Sequence, residues 1–290
     1  MDLSEWKQAG SYFRYKKKFN IFYQEATNEK EVLLLLHGFP TSSWDWNKIW
    51  QPLAGKFHLI APDFLGYGLS NKPKRYKYST HDQSDMVESL LNDKGIEKAH
   101  VLAHDLGDTV FQELLARNID RAKGNKKGIV YNSVCLLNGG ILPEGHHPRP
   151  IQMALLSPFG FMLTPFLNKK KLRKNFHGIF GNDTPPTDQE IDEFYELMER
   201  EKGKYIFHKL IRYMSDRKQY RERWVGALQK CPVPIRFING NADPVSGKHL
   251  SDTIKWFIPH IAVIDLPKIG HYPHIEAPDE VLRHFLEFHA

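Results

Sequence analysis

Cysteine is nearly absent. The 290-residue chain has two, Cys135 and Cys231, so no disulfide framework is expected. Both sit in or beside apolar segments, which favours buried free thiols. No run reaches the roughly 18 apolar residues of a helical membrane span, and residues 1–19 lack the apolar stretch of a secretory signal. A cytoplasmic location is the resulting expectation. Internal repeats and low-complexity tracts are lacking as well. The 15 histidines form neither a His-Glu-x-x-His pair nor a Cys-His cluster of ligand spacing, so neither metal nor cofactor is expected. The net charge of +6 makes the surface mildly basic, but no nucleic-acid recognition module accompanies it.

The longest apolar stretch, residues 151–167, is broken by Pro158, Gly160 and Pro165 and leads into Lys169, Lys170, Lys171, Leu172, Arg173 and Lys174. This is compatible with contact with a membrane surface. A mobile lid lining an apolar pocket is the expected role.

What the chain does have is a regular alternation. Tyr12–Tyr15 and Phe19–Gln24 read as an opening antiparallel pair. Short apolar runs follow at Val32–Leu36, Phe57–Ala61, His100–Ala103, Val134–Leu137, Ile235–Ile238 and Ala262–Leu266. Continuous apolar character fits strands covered on both faces. Helical stretches lie between them at His81–Lys94, Thr109–Asn118, Ser246–Phe257 and Pro278–His289. Such alternation predicts an α/β chain with a mostly parallel sheet and helices on both sides. The rhythm breaks between Gly139 and Lys230, where the sequence turns helical, charged and aromatic. The expected organisation is a core of residues 1–138 and 231–290, interrupted by a helical lid at 139–230.

Four segments follow strands, where the working residues of parallel sheets gather. Ala103-His104-Asp105-Leu106-Gly107 has the spacing of a nucleophile elbow, with Asp105 as the nucleophile; a plain helix N-cap is the alternative. His37-Gly38-Phe39-Pro40 supplies a loop whose Phe39 N–H, with that of Leu106, could form an oxyanion hole; the alternative is an ordinary Gly-Pro turn. Pro40 is a candidate for a cis peptide. Asp243, in Asn239-Gly240-Asn241-Ala242-Asp243-Pro244, could orient a histidine or merely shape an Asp-Pro turn. His271, in Gly270-His271-Tyr272-Pro273, completes the order nucleophile, acid, histidine, with His274 as a nearby competitor. His37 and Pro40 are expected at the pocket wall, and His104 either there or packed beside the nucleophile.

A carboxylate needs no deprotonation to attack, since its ordinary pKa lies near ~3.9. At an sp³ carbon it forms an ester with the enzyme, which water activated by His271 then hydrolyses. Attack on an acyl group would give a high-energy anhydride, so alkyl electrophiles are favoured.

On these residues, and on Pro62-Asp63-Phe64-Leu65-Gly66-Tyr67-Gly68-Leu69-Ser70, the chain resembles the α/β-hydrolase superfamily over nearly its full length. It is most similar to the epoxide hydrolase and haloalkane dehalogenase branches. Residues 39–46, 137–144 and 223–228 also resemble the mesoderm-specific transcript protein family. The resemblance implies an α/β-hydrolase fold: a mostly parallel eight-stranded sheet, helices on both faces and an α-helical lid. It implies a hydrolase acting on a small apolar electrophile and water, as a monomer or homodimer. Dehalogenases of this superfamily usually hold the departing halide with side-chain N–H donors at the positions of Leu106 and Phe39, which offer none. Epoxide hydrolases need lid tyrosines to protonate the opened ring. Tyr213 lies in a matching context, although it could instead be a packing residue of an amphipathic helix. No tyrosine in residues 151–180 matches the first lid tyrosine, which leaves a single tyrosine or a substitute such as His177. Epoxide hydrolysis is thus the leading expectation and dehalogenation the second. The third is a relative with a mainly binding or membrane-associated role.

Overall fold

A computed structural model describes the whole chain, Met1–Ala290. Eight strands form one sheet: β1 (Ser11–Tyr15), β2 (Phe19–Ala26), β3 (Val32–Leu36), β4 (His58–Pro62), β5 (Lys98–His104), β6 (Val130–Leu137), β7 (Ile235–Gly240) and β8 (Ala262–Leu266). Their spatial order is β1-β2-β4-β3-β5-β6-β7-β8. The first two pairings, β1 with β2 and β2 with β4, are antiparallel, and every later one is parallel.

The run Leu33–Leu36 is fully buried, as a strand with helices over both faces must be. Behind the sheet the helix Leu106–Lys123 is buried along its first eleven residues. Parallel register then aligns the strand ends. Leu36 pairs with Ala103, His104 with Leu137, Leu137 with Ile238 and Gly240 with Leu266. The loops that leave β3, β5, β6, β7 and β8 therefore emerge along one edge of the sheet. They carry Phe39, Asp105, Asn138, Asp243 and His271.

Some elements differ from expectation. β6 begins at Val130 rather than Val134, because its first half alternates exposed and buried positions instead of forming an apolar run. Helix Leu3–Ala9 was not anticipated. Asp2 and Glu5 form a reciprocal capping box at its start, and Trp6 packs edge-on against Trp44 and Trp50 with ring centroids 5.4 and 4.9 Å apart. Helix Asn47–Ala54 was also unforeseen. Between β6 and β7 the chain forms helices and turns only. The last of these, Arg221–Gln229, lies along Leu106–Lys123, and its buried Trp224 donates Nε1–H to Glu113 at 2.8 Å.

Candidate active site

Asp105 sits at the junction of β5 and the helix Leu106–Lys123 with φ of +46°. A positive φ is costly for a residue with a Cβ, and here it aims the carboxylate off the sheet edge. The bend also needs close backbone contact. A Cβ on Gly107 would lie 2.1 Å from the Leu36 carbonyl oxygen, and one on Gly38 would lie 2.6 Å from His104 Nδ1. Asp105 does not use its side chain to cap the helix, so the N-cap alternative does not describe it. Phe39 N–H donates to Asp105 Oδ2 at 3.1 Å, and the Phe39–Pro40 peptide is cis.

His271 donates Nδ1–H to Asp243 Oδ2 at 2.7 Å, which leaves its Nε2 free. The Asp243 carboxylate also accepts from Val245 N–H at 2.7 Å, Ser246 O–H at 2.6 Å and Asn138 Nδ2–H at 3.2 Å. Burial alone would raise its pKa, but the His271 charge and these donors hold it down at about 2. Burial depresses His271 as well, yet Asp243 and Asp105 more than offset this and its pKa is raised. Asp105 follows the same logic: burial works against ionisation, while Arg217, His271 and His104 keep the pKa below its ordinary value.

Arg217 is a site residue that sequence reading missed. Its Nη2 donates to the Asp105 carbonyl at 2.9 Å and to Oδ1 at 3.2 Å, and its Nε donates to Thr109 Oγ1 at 2.6 Å. Both partners of this ion pair are almost fully buried. Tyr213, one turn earlier on the helix Tyr213–Gln219, donates O–H to Asp105 Oδ2 at 3.3 Å, while the Arg217 guanidinium lies 4.7 Å from its ring centre. The available signal was the four-residue spacing, which stacks the two side chains on one helix face.

A buried carboxylate thus sits on a strained turn after the fifth strand, in one cleft with an Asp-paired histidine from the chain's last loops. The family model for the alpha/beta hydrolase fold matches residues 31–278. The chain belongs to the α/β-hydrolase family. This α/β hydrolase is 38% identical to the mesoderm-specific transcript protein of Mus musculus across 99% of its own length and 87% of that protein's. Among solved structures, haloalkane dehalogenase DbeA from Bradyrhizobium elkani superposes with a TM-score of 0.79 at 22% identity, covering 96% of each chain. The epoxide hydrolase CorEH superposes at 0.74 and 20%, covering 96% of this chain and 97% of its own. At such identities the structural likeness speaks for the fold alone.

The α/β hydrolase has a cleft that takes in Asp105 and His271, with eleven hydrophobic residues among the twenty that line it. Phe39 and Pro40 line it from the loop after β3, while Ile151, Leu155, Leu167, Leu172, Phe176 and Phe207 come from the chain between β6 and β7. His37 and His104 do not reach it, contrary to expectation. His37 is fully buried, donating Nδ1–H to the Gly38 carbonyl at 2.8 Å and accepting from Phe64 N–H at 3.0 Å. His104 donates Nε2–H to the His271 carbonyl at 2.8 Å, and burial drives its pKa down to about 3. The two rings therefore brace the loops that carry the site. His177 is exposed and lies outside the cleft, so it cannot replace a lid tyrosine. Behind the catalytic loops, Asp45, His104 and His274 present ligand-type atoms within 4.8 Å of one another. Sequence spacing had not brought these three together.

Proposed function

We propose that this α/β hydrolase opens epoxides through an ester on Asp105. One observation carries the reading. A buried carboxylate, not a hydroxyl, occupies the strained turn, and its Oδ2 receives both a backbone N–H and a tyrosine O–H. Oδ2, held by Phe39, becomes the ester carbonyl oxygen, and Oδ1 attacks a ring carbon. The ring C–O bond breaks and its oxygen takes the Tyr213 proton. Burial, with the Asp105 charge beside it, keeps the Tyr213 pKa well above the ordinary tyrosine value, so the hydroxyl is protonated and able to donate.

Water then gives a proton to His271 Nε2 and its oxygen adds to the ester carbonyl carbon. The charge that develops on Oδ2 is met by the N–H groups of Phe39 and Leu106. The intermediate collapses to carboxylate and diol, and the proton on His271 restores Tyr213.

Two outcomes follow. Tyr213→Phe should slow single-turnover alkylation by epoxides about 10²–10⁴-fold and leave decay of the ester nearly unchanged; equal slowing of both steps would point to a packing role. Ester decay should rise with pH to a plateau, because His271 acts unprotonated. Single-turnover decay of the ester measured across pH checks this, and a rate independent of pH would contradict the role of His271 as base.

The direct test is diol formation from a panel of aromatic and aliphatic epoxides, and no diol from any of them would overturn the proposal. Dehalogenation is the second reading. Leu106 and Phe39 offer no side-chain donor, but the amide side chains of Gln152, Asn168 and Asn175 line the cleft and could hold a departing halide. Halide release from short bromoalkanes distinguishes the two.

A further inference from the structure

Large apolar side chains on a protein surface are unremarkable when scattered and informative when gathered. Six tyrosine, phenylalanine, methionine or tryptophan side chains of this molecule are more than half exposed: Tyr12, Phe159, Phe161, Met162, Phe166 and Trp256. Four of them fall within the eight residues 159–166. Phe159 is 70% exposed, Phe161 55%, Met162 57% and Phe166 63%, and Met153, just before them, is 46% exposed. The segment consists of two single turns, Gly160–Met162 and Thr164–Phe166. Gly160 and Thr164 are buried beneath them, so the backbone is anchored while the apolar side chains project outward.

The charge around this patch is positive. Helix Lys169–His177 follows directly, and Lys170, Lys171 and Lys174 on it are exposed and form no ion pair, whereas Lys169 and Arg173 are matched by Asp192 and Asp188. Lys171 Nζ lies 5.6 Å from the centre of the Phe166 ring, so cation and apolar group form one surface. On the other side the turn Thr164–Phe166 packs against Arg200–Ile206, where Lys202 and Tyr205 are exposed and the exposed Glu201 is paired with Arg200. No helix is long and apolar enough to cross a membrane, so lipid contact here would be superficial.

We infer that this face of the insertion docks on an anionic lipid surface, Phe159, Phe161, Met162 and Phe166 entering the headgroup–acyl boundary while Lys170, Lys171 and Lys174 pair with lipid phosphates. A protein partner would meet the apolar patch equally well. The unpaired lysines, with no acidic counterpart among them, favour a negatively charged bilayer. Docking also has a functional consequence, which rests on the proposed epoxide chemistry. Leu167 and Asn168, between the patch and the lysines, and Leu172, among the lysines, line the cleft that holds Asp105. A docked molecule would therefore take an apolar epoxide from the bilayer with little passage through water.

The test needs no substrate, so its result is independent of the reaction. The full chain is sedimented with vesicles of phosphatidylcholine alone and with vesicles containing phosphatidylserine. It should co-sediment with the second and far less with the first, and raised salt should release it. Lys170→Glu/Lys171→Glu/Lys174→Glu should weaken partitioning by at least about five-fold for each lysine lost. Phe159→Ser/Phe161→Ser/Met162→Ser/Phe166→Ser should abolish it. All seven positions are exposed, and an unchanged circular dichroism spectrum confirms that the variants fold. Three results would overturn the inference: no preference for anionic vesicles, undiminished binding by both variants, or a patch-dependent dimer of the free protein in sedimentation velocity.

Discussion

A His271→Ala variant mixed with a reactive epoxide should accumulate a covalent ester, seen in the intact mass and mapped by peptide analysis to Asp105. The side chain removed is the one that takes the proton from water, and general-base assistance of this kind contributes about 10²–10⁴-fold. Alkylation does not use that base, so the first step should proceed while the second stalls. The added mass also identifies the chemistry. An epoxide adds as a whole molecule, whereas a haloalkane leaves its halide behind. Asp243→Asn should behave similarly but less completely. His271 would lose the buried carboxylate that receives Nδ1–H at 2.7 Å and fixes its tautomer. An adduct on any other residue would remove Asp105 from its assigned role.

Arg217→Met should be strongly destabilising, by about 3–5 kcal/mol in denaturant unfolding, because it leaves the Asp105 carboxylate buried without its cation. The guanidinium and carboxylate are 3% and 6% exposed, so water screens little of the interaction. The sign of the pH dependence follows. In the native protein the Asp105 pKa is depressed, and its contribution to stability is present above the unfolded value of ~3.9 and is lost as pH falls through the folded value. Without Arg217 the buried carboxylate's pKa should instead rise above ~3.9. The folded variant then binds the proton more tightly than the unfolded chain, and its deficit should narrow as pH falls. Asp105→Asn combined with Arg217→Met should recover much of the loss, since no uncompensated charge remains. A deficit that stayed constant with pH, or strictly additive substitutions, would show that Arg217 acts by packing rather than as the counter-ion.

The strands, and the loops that carry Asp105, Asp243 and His271, were legible because each signal is local. A run such as Leu33–Leu36, or a small residue two places from an acid, can be read from a few neighbours. Arg217 was not legible for the opposite reason. Its meaning lies in a contact with a residue 112 positions away, and a basic residue in a charged helical stretch otherwise reads as a solvated one. Asn138 was hidden in the same way. It looks like a turn residue after β6, yet its side chain ties Gly240 and Asp243 together through bonds of 2.7, 3.0 and 3.2 Å. His37 and His104 were placed at the pocket wall because they adjoin its residues in sequence. Backbone direction at the sheet edge turns neighbouring side chains to opposite sides, and both rings point inward.

Turnover of an epoxide in water enriched in the heavy oxygen isotope tests the central claim most directly. If Asp105 forms the ester and water attacks its carbonyl carbon, repeated turnovers should leave heavy oxygen in the peptide that contains Asp105. Heavy oxygen found in the diol from the first turnover onward, with that peptide unlabelled, would mean that water attacks the epoxide itself and that Asp105 is not the nucleophile.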